Sequence, residues 1–487
     1  MNRYILSLLS LIILISACKK DIIETNQNAN LHFSNDTIIF DTAFHSIGSP
    51  TQTLTIYNHN NFNIITDISL NLLASGSFRM NVDGIDGHEH KSIKIPAKDS
   101  IFIFLEVTPN FNENSEFLIT SMIEFKTGIN SQNVKLVLPG RNAIFHLPQN
   151  NNFTDIYDNI INFRYHSIKG DVVWSNDLPH VIYGQVIIEP NSILTIEKGT
   201  EIYFHNNSGI LVGNPILITS EGTPPLNNGT LIVNGEKDEE VKFQGDRSSE
   251  LYTSTPGQWN GIYFAPGSIN SRIEYAIIKN GTTGIRADSA DITTPALIIN
   301  NTIIKNMSSI GILGQGANIS ATNTIVSNCG QHTIACNIGG NYNFTHCTFA
   351  NYWQYNRTTP SVLLNNYYNG IDGQTYPRPI NEATFTNCII YGPLTTEISL
   401  DNLESVEFNY IFDHCLIKLD EKINTNNIHY NNVIINQSPQ FIDYNQNNLH
   451  LSNNSPAINA GKLLVTALTD IEGKIRNSPD LGAYELE

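Results

Sequence analysis

The sequence predicts an all-β protein in which a β-sandwich is followed by a parallel β-solenoid. Two observations lead to this prediction: short stretches of alternating apolar and polar residues before about residue 145, and a recurring stretch of residues after about residue 165. The 487 residues allow roughly two to four domains, or a small domain and one long repeat array. Hydrophobic residues make up 40% of the chain, which is enough for a sizeable core.

The first domain is predicted over residues 31–145. Alternating stretches at 53–57, 92–95, 101–105 and 134–138 are separated by turn residues, which is typical of short strands with one buried face. About seven such strands in this length indicate a β-sandwich. The pattern resembles the immunoglobulin-like domains at the N-termini of Bacteroidetes surface proteins, although no Cys–Trp–Cys core is present. The resemblance implies a spacer.

The second domain is predicted over residues 146–450 and contains the repeat. Residues 273–280 (IEYAIIKN) match 299–306 (INNTIIKN), and the same register returns at 321–328, 344–351, 385–391 and 412–418. Equivalent positions are separated by 323 − 301 = 22, 346 − 323 = 23, 387 − 346 = 41 and 414 − 387 = 27 residues. A period just above twenty without a helical pattern indicates stacked β-coils.

Stacked coils place equivalent residues above one another, so the repeat predicts two ladders. The first contains polar or aromatic residues: Tyr275, Asn301, Asn323, His346, Asn387 and His414. The second contains small residues: Ala276, Thr302, Thr324, Cys347, Cys388 and Cys415. The coils resemble the right-handed parallel β-helix family that includes pectate lyases, over about residues 170–450.

Residues 451–487 resemble the terminal motif of bacterial surface β-helix proteins. We interpret them as a cap, because the last coil of a solenoid exposes an edge that would otherwise recruit other strands. Arg476 with Asp480 or Glu485 is expected to hold this cap in place.

The N-terminus predicts where the protein is located in the cell. Residues 1–17 combine Arg3 with an apolar run that is too short to span a membrane, which is typical of a signal peptide. The segment ends in Ser-Ala before Cys18 and resembles the lipobox of bacterial lipoproteins, which implies that Cys18 is acylated. Residues 18–30 then form a flexible tether. The resemblance implies an outer-membrane lipoprotein facing the cell surface, with a periplasm-facing orientation as the alternative, and the membrane as a partner through Cys18.

Charge and cysteine content exclude several classes. The formal charge is −18 with no basic run, which argues against nucleic acid as a partner. The five cysteines other than Cys18 show no closely spaced pairs, so we expect buried thiols and neither a metal site nor a cofactor. No oligomer is expected.

The 41-residue spacing predicts one long insertion at about 352–383, which is the main candidate binding site. It concentrates aromatic residues that could stack on sugar rings and arginines that could pair with uronic acids. The candidate glycan-binding residues are Tyr352, Trp353, Tyr355, Arg357, Tyr367, Tyr368, Tyr376 and Arg378. The alternative interpretation is that these aromatic residues pack the insertion against the solenoid.

Enzyme signatures of the resembled family are mostly missing. Its lyases use clustered acidic calcium ligands with a Lys or Arg base, and its polygalacturonases use a series of Asp and His motifs that this chain lacks. Asp288 and Asp291 are the one carboxylate pair that could be nominated in the solenoid, and no catalytic residue is assigned. We therefore expect non-catalytic binding of an extended glycan or another surface ligand. The alternatives are a polysaccharide lyase or glycoside hydrolase with an unfamiliar site, and a structural or adhesive surface protein.

Overall fold

The computed structural model describes residues 29–40, 43–44, 48–71, 76–109, 118–141, 143–154, 160–215, 227–247, 252–289 and 296–486. Cys18 and the predicted signal peptide lie outside the described residues. The chain divides into two compact units, Met1–Asn142 and Ala143–Glu487. No helix in the described ranges has the length and apolar character needed to cross a membrane.

The first unit contains two sheets around one core. In spatial order, the first sheet comprises His32–Phe33, Gln52–Tyr57, Ser100–Pro109, Gly76–Val82 and Ile85–Asp86. The second comprises Thr37–Ile39, Asn130–Arg141, Leu118–Thr127, Ile64–Leu70 and Glu89–Ile95, with Ala43–Phe44 also paired to Asn130–Arg141. Leu54 and Ile103 from one sheet and Ile123 and Leu136 from the other are fully buried in the same core. This is a β-sandwich, and its immunoglobulin-like character stays a prediction.

The second unit is a parallel β-helix with two long sheets. The eleven-stranded narrow sheet contains Ile144–His146, His180–Ile182, Glu201–Phe204, Val241–Gly245, Ala276–Lys279, Ile303–Met307, Ile325–Cys329, Thr348–Ala350, Ile389–Tyr391, Leu416–Ile417 and Ile434–Ile435. Each strand pairs in parallel with the equivalent strand of the next coil, as at Ala276–Lys279 and Ile303–Met307. The predicted all-β class and the solenoid of stacked parallel strands are confirmed.

The eighteen-stranded wide sheet completes each coil. It contains Gln149–Thr154, Ile160–Ile168, Asp171–Trp174, Gln185–Ile188, Ile193–Glu197, Gly209–Val212, Thr230–Asn234, Gly261–Phe264, Ser271–Glu274, Thr283–Asp288, Leu297–Asn300, Ile310–Thr322, Ile334–Thr345, Val362–Asn365, Ile380–Thr386, Ile398–Asp401, Phe408–Asp413 and Tyr430–Asn431. Most coils contribute two consecutive strands, one to a first row and one to a second row. Thr283–Asp288 and Leu297–Asn300 are one such pair, and both rows continue onto Ile310–Thr322.

The predicted polar ladder forms the turn from the second row into the narrow sheet. Its residues all have left-handed backbone conformations, with φ between 44° at Tyr275 and 55° at Asn387. Asn is enriched in this conformation because its short side chain can hydrogen-bond locally. Side chains also join consecutive coils: Asn323 Nδ2 donates to Asn301 Oδ1 at 3.0 Å, and Asn387 Nδ2 donates to His346 Nε2 at 2.8 Å.

The small ladder lies just inside this turn and fills the core. Cys347, Cys388 and Cys415 are fully buried, and each thiol contacts a main-chain carbonyl oxygen of the coil below, at 3.3 to 3.5 Å. Cys329 and Cys336 are also free and buried. The expectation of buried thiols is therefore confirmed for these five residues.

The C-terminal segment packs along the side of the solenoid. Leu449, Ala457 and Leu481 share a core with Ile325 and Ile389, which project outward from the narrow sheet. The segment contains the paired strands Phe441–Asp443 and Asn448–Leu451 and the 3-10 helix Tyr444–Gln446. The narrow sheet has an apolar strip across several coils, and this segment covers it. A role of the segment as a cap on the last coil stays a prediction. Arg476 pairs with Glu485 as expected.

Candidate ligand-binding surface

The predicted insertion at 352–383 is not one piece. Val362–Asn365 continues the first row of the wide sheet between Ile334–Thr345 and Ile398–Asp401. Without it, the strands on either side would lose main-chain hydrogen-bonding partners, which is costly in a buried sheet. The strand therefore separates a corner loop at 351–361 from a hairpin at 366–379.

The corner loop holds two kinds of aromatic residue. Tyr352 stacks on Tyr444 with ring centroids 4.1 Å apart, and burial raises the pKa of the Tyr352 hydroxyl above its usual range. Tyr352 thus packs the loop against the C-terminal segment. Trp353 and Tyr355 form an edge-on pair at 5.3 Å, and Tyr355 is 69% exposed. These two remain available to a ligand.

Arg357 is buried in an ion pair. Its guanidinium donates to Glu397 Oε1 at 2.7 Å and to Oε2 at 2.8 Å, and also to the Asn351 carbonyl at 2.8 Å. The Glu397 carboxylate also accepts the Ser361 main-chain N–H at 2.8 Å. Because the two side chains are only 3% and 0% exposed, no face of the guanidinium is open to a glycan. We therefore assign Arg357 to the structure of the corner.

The hairpin carries the other predicted residues, of which the tyrosines are half-buried and Arg378 is exposed. Tyr367–Asn369 pairs antiparallel with Thr375–Pro377, and Tyr368 lies directly opposite Tyr376. Their rings stack at 5.1 Å, and the Arg378 guanidinium lies 5.2 Å from the Tyr368 ring centroid. Strand alternation places these three side chains on one face. None of them belongs to the hydrophobic cores of the solenoid.

Tyr367 lies on the opposite face and connects the hairpin to the solenoid. Its hydroxyl donates to the Asp401 carboxylate, with 3.0 Å to Oδ1, and this hydrogen bond raises the pKa of Tyr367. Asp401 also accepts the Asn365 side-chain amide at 3.1 Å. The base of the hairpin is therefore fixed to the solenoid, and on its aromatic face the Tyr376 hydroxyl donates to Asp372 Oδ2 at 2.5 Å.

A row of polar side chains leads from this point along the first row of strands, with Asp401 exposed, most of its other members half-buried and Asn365 buried. Sequence reasoning missed it, because its members have no common residue type. We name it the polar row, and it contains Asp288, Gln315, Asn337, Asn365 and Asp401.

The far end of the polar row carries an arginine. Arg286 donates to Asp288 Oδ1 at 2.9 Å and to Gln315 Oε1 at 2.9 Å. Its guanidinium also lies 4.6 Å from the Tyr263 ring centroid. Burial and the Asp288 carboxylate raise the pKa of Tyr263 to about 12, so its hydroxyl is a neutral donor. The row thus has an aromatic–arginine contact at each end.

The chemistry of this surface consists of hydrogen bonding and stacking. Asp288 is held by Arg286 on its own strand, and Asp291 lies outside the described residues. In the described ranges, no group of three or more His, Cys, Asp or Glu side chains could hold a metal ion. Amide and carboxylate side chains in register suit the hydroxyl groups of a polymer.

The strand pairing defines the class of protein: an all-β chain with a β-sandwich unit and a parallel β-helix unit. No family model matches the chain, and no curated protein matches it.

Three solved structures show partial similarity. A PapD-like domain of human CEP192 has 12% identity and a TM-score of 0.18, over 26% of this chain and 92% of that one. A family 123 glycoside hydrolase from Clostridium perfringens has 6% identity and a TM-score of 0.19, over 30% of each chain. A GH87 α-1,3-glucanase from Streptomyces thermodiastaticus has 11% identity and a TM-score of 0.20, over 75% of this chain and 62% of that one. At such scores the fold assignment depends on the strand pairing described above.

Proposed function

We propose that this protein is a cell-envelope lipoprotein whose β-helix binds an extended glycan along the polar row and the hairpin. One observation carries the proposal: the Tyr368–Tyr376–Arg378 stack belongs to no hydrophobic core, and its two rings are partly exposed beside the exposed Arg378. Aromatic faces pack on the apolar faces of sugar rings, and an exposed guanidinium can hold a carboxylate with two hydrogen bonds. The ligand class that fits is therefore a polysaccharide, with uronic acids as the preferred units.

The polar row supports a linear ligand. Its members lie on consecutive coils, so they repeat about every 4.8 Å along the solenoid axis. A solenoid keeps this spacing rigid over several coils, since each coil is hydrogen-bonded to its neighbours. A polymer lying along the axis would thus meet hydrogen-bonding groups on several coils, although not at the buried Asn365, and end on the hairpin.

Membrane attachment is the part of the proposal that depends on residues 1–18. Acyl chains on Cys18 would anchor the two units, since more than one chain is needed for stable attachment. Replacing Cys18 with Ser is expected to move the protein from the membrane fraction to the soluble fraction. Labelling with a palmitate analogue followed by protease treatment of intact cells would then distinguish a surface-facing protein from a periplasmic one.

The glycan proposal is tested with the mature protein and a panel of neutral and uronate-containing polysaccharides. Affinity electrophoresis and calorimetry would compare the wild type with the double variant Tyr368→Ala/Tyr376→Ala. Each stacking contact contributes about 1 kcal/mol, so the double variant should bind roughly tenfold or more weakly with an unchanged melting temperature. Arg378→Ala should weaken binding of uronate polymers alone.

Two further variants make the test specific. Phe104→Ala removes a 43% exposed aromatic residue of the sandwich and should leave binding unchanged. Trp353→Ala/Tyr355→Ala removes the aromatic pair of the corner loop, and loss of binding in that variant alone would move the site to the corner. Release of reducing ends or unsaturated products would instead establish an enzyme. Failure to bind any polysaccharide would favour a structural or adhesive role.

A further inference from the structure

Two lysines lie side by side on the narrow sheet, on a different face from the hairpin. Lys279 and Lys305 are register partners in the neighbouring strands Ala276–Lys279 and Ile303–Met307. Their neighbours Ile278 and Ile304 are fully buried, so alternation directs both lysines outward. Adjacent strands are about 4.8 Å apart, which holds the two side chains in parallel.

Neither ammonium group lies within salt-bridge distance of a carboxylate in the described ranges, and Glu201 acts on Lys279 only at longer range. Other lysines of the solenoid are paired, such as Lys242 with Glu201 at 3.7 Å and Lys462 with Asp413. Within the part of the chain that the structure describes, Lys279 and Lys305 form no salt bridge and no side-chain hydrogen bond. This is unusual in a protein with a formal charge of −18, where carboxylates are in excess.

The pair is also partly desolvated. Both side chains are half-buried, and burial lowers the pKa of Lys305, which the Lys279 ammonium lowers further. Burial and the Lys242 ammonium lower the pKa of Lys279, whereas the Glu201 carboxylate raises it. Placing two cations together in this environment is unfavourable for the folded chain unless an anion compensates them.

Polar side chains also occupy the positions before and after the lysines in this row of the narrow sheet. On the next strand, Ser327 is the register partner of Lys305. On the other side, the strand of Gln244 pairs with the strand of Lys279, and Tyr203 is the register partner of Gln244. The Ser327 hydroxyl is buried and donates to Asn447 Oδ1 at 3.4 Å, whereas the Gln244 amide is half-buried beside Lys279. The Glu201 carboxylate, which acts electrostatically on Lys279, is already engaged by Lys242 and the Tyr203 hydroxyl.

We propose that Lys279 and Lys305 form a binding site for an oxyanion, namely a carboxylate, sulfate or phosphate group. The parallel strands hold both ammonium groups ready to bind one anionic group between them. Hydrogen bonds between ammonium and oxyanion are charge-assisted and therefore stronger than neutral ones. This inference does not depend on the proposed glycan site, since its residues lie on the other sheet.

The test measures thermal unfolding and calorimetric binding of the mature protein with sulfate, phosphate and glucuronate, at ionic strength held constant with sodium chloride. All three anions should raise the melting temperature of the wild type. Lys305→Gln should melt at a higher temperature than the wild type without anion, because the repulsion is gone. The same variant should bind the anions about tenfold or more weakly, since a charge-assisted bond is lost.

Matched variants separate this site from general salt effects. Lys198→Gln changes a lysine that is paired with Glu236 and Glu239, and it should respond to the anions like the wild type. Lys305→Arg retains the charge and should retain binding. Equal anion responses in Lys305→Gln and the wild type would overturn the proposal, as would an unstable Lys305→Gln whose anion affinity is unchanged.

A last comparison identifies the source of the anion. Polyuronate, sulfated polysaccharide and vesicles containing anionic lipid would be offered to the wild type and to Lys305→Gln. A polymer whose binding requires Lys305 but not Tyr368 would show that the anion site is separate from the hairpin. If no polysaccharide binds at the hairpin while the anions still bind at Lys279 and Lys305, only the glycan proposal is contradicted.

Discussion

At the scale of single residues, His346 shows how a buried ladder position fixes a protonation state. Its Nδ1 lies 3.3 Å from the Gly482 carbonyl and its Nε2 lies 2.8 Å from Asn387 Nδ2. A carbonyl requires a donor and an amide N–H requires an acceptor, so the ring is neutral with its proton on Nδ1. Burial, followed by the Arg476 guanidinium, lowers the pKa of His346 to about 3.

This lowered pKa predicts a pH-dependent stability. In the unfolded chain the ring takes up a proton near pH 6.5, whereas in the folded chain it resists protonation until about pH 3. The stability due to the neutral ring is therefore complete above pH 6.5 and is lost progressively as the pH falls toward 3. His346→Asn should flatten this dependence, because Asn occupies the same left-handed position in neighbouring coils.

Urea unfolding at several pH values between 7.5 and 4 would measure this change in slope. His32→Asn, in the sandwich, serves as the control and should leave the slope of the solenoid transition unchanged. His146 has a pKa lowered to about 3 by burial, so part of the slope should persist in His346→Asn. A slope identical to that of the wild type would show that His346 is not protonated on unfolding in this range.

At the scale of elements, one buried arginine adds a polar contact to the apolar packing that attaches the C-terminal segment. Arg476 pairs with Glu485 and donates to Asn323 Oδ1 at 3.1 Å and to the Gly482 carbonyl at 3.2 Å. Asn323 belongs to the polar ladder, so the arginine connects the segment directly to a coil. Removing one partner of a buried ion pair typically costs about 3–5 kcal/mol, because the other charge stays buried.

Arg476→Ala should therefore loosen the segment without unfolding the coils. Amide hydrogen exchange is expected to rise in residues 457–486, while the strand Leu297–Asn300 keeps its protection. Lys474→Ala is the matched control, since Lys474 pairs with the partly exposed Glu472 at 3.4 Å and should change exchange little. Uniform loss of protection across the solenoid would show instead that the segment and the coils unfold as one unit.

The elements that sequence predicted best are those that repeat. The ladder at Asn301, Asn323 and His346 was visible because the same turn recurs with the same register in each coil. Strand Val362–Asn365 was missed, since the wide sheet tolerates many apolar residues and the ladder motif is absent from that strand. The predicted insertion was consequently drawn as one loop instead of a loop and a hairpin.

Contacts between distant residues could not be predicted in the same way. Arg357 and Glu397 are 40 residues apart, and only the folded corner brings them together. Arg357 was therefore predicted from the sequence to be a glycan-binding residue. Tyr368 and Tyr376 are closer in the chain, but their stacking depends on the hairpin register. The sideways packing of the C-terminal segment likewise depends on an apolar strip that appears only when coils stack.

At the scale of the whole molecule, the two units have separate cores, which predicts separate unfolding transitions. All three tryptophans of the chain, Trp174, Trp259 and Trp353, lie in Ala143–Glu487. Tryptophan fluorescence therefore reports on the solenoid alone, whereas far-ultraviolet circular dichroism reports on the strands of both units. Urea unfolding followed by both signals can assign each transition.

Ile103→Ala in the sandwich core should lower the stability of one circular dichroism transition by about 2–5 kcal/mol, since it leaves a cavity beside buried neighbours. The fluorescence transition should stay where it is. Ile299→Ala, a fully buried change in the solenoid, is the reciprocal control and should shift the fluorescence transition. If Ile103→Ala shifts both signals equally, the units unfold cooperatively, and the sandwich is then part of the stability of the β-helix in addition to any role as a spacer.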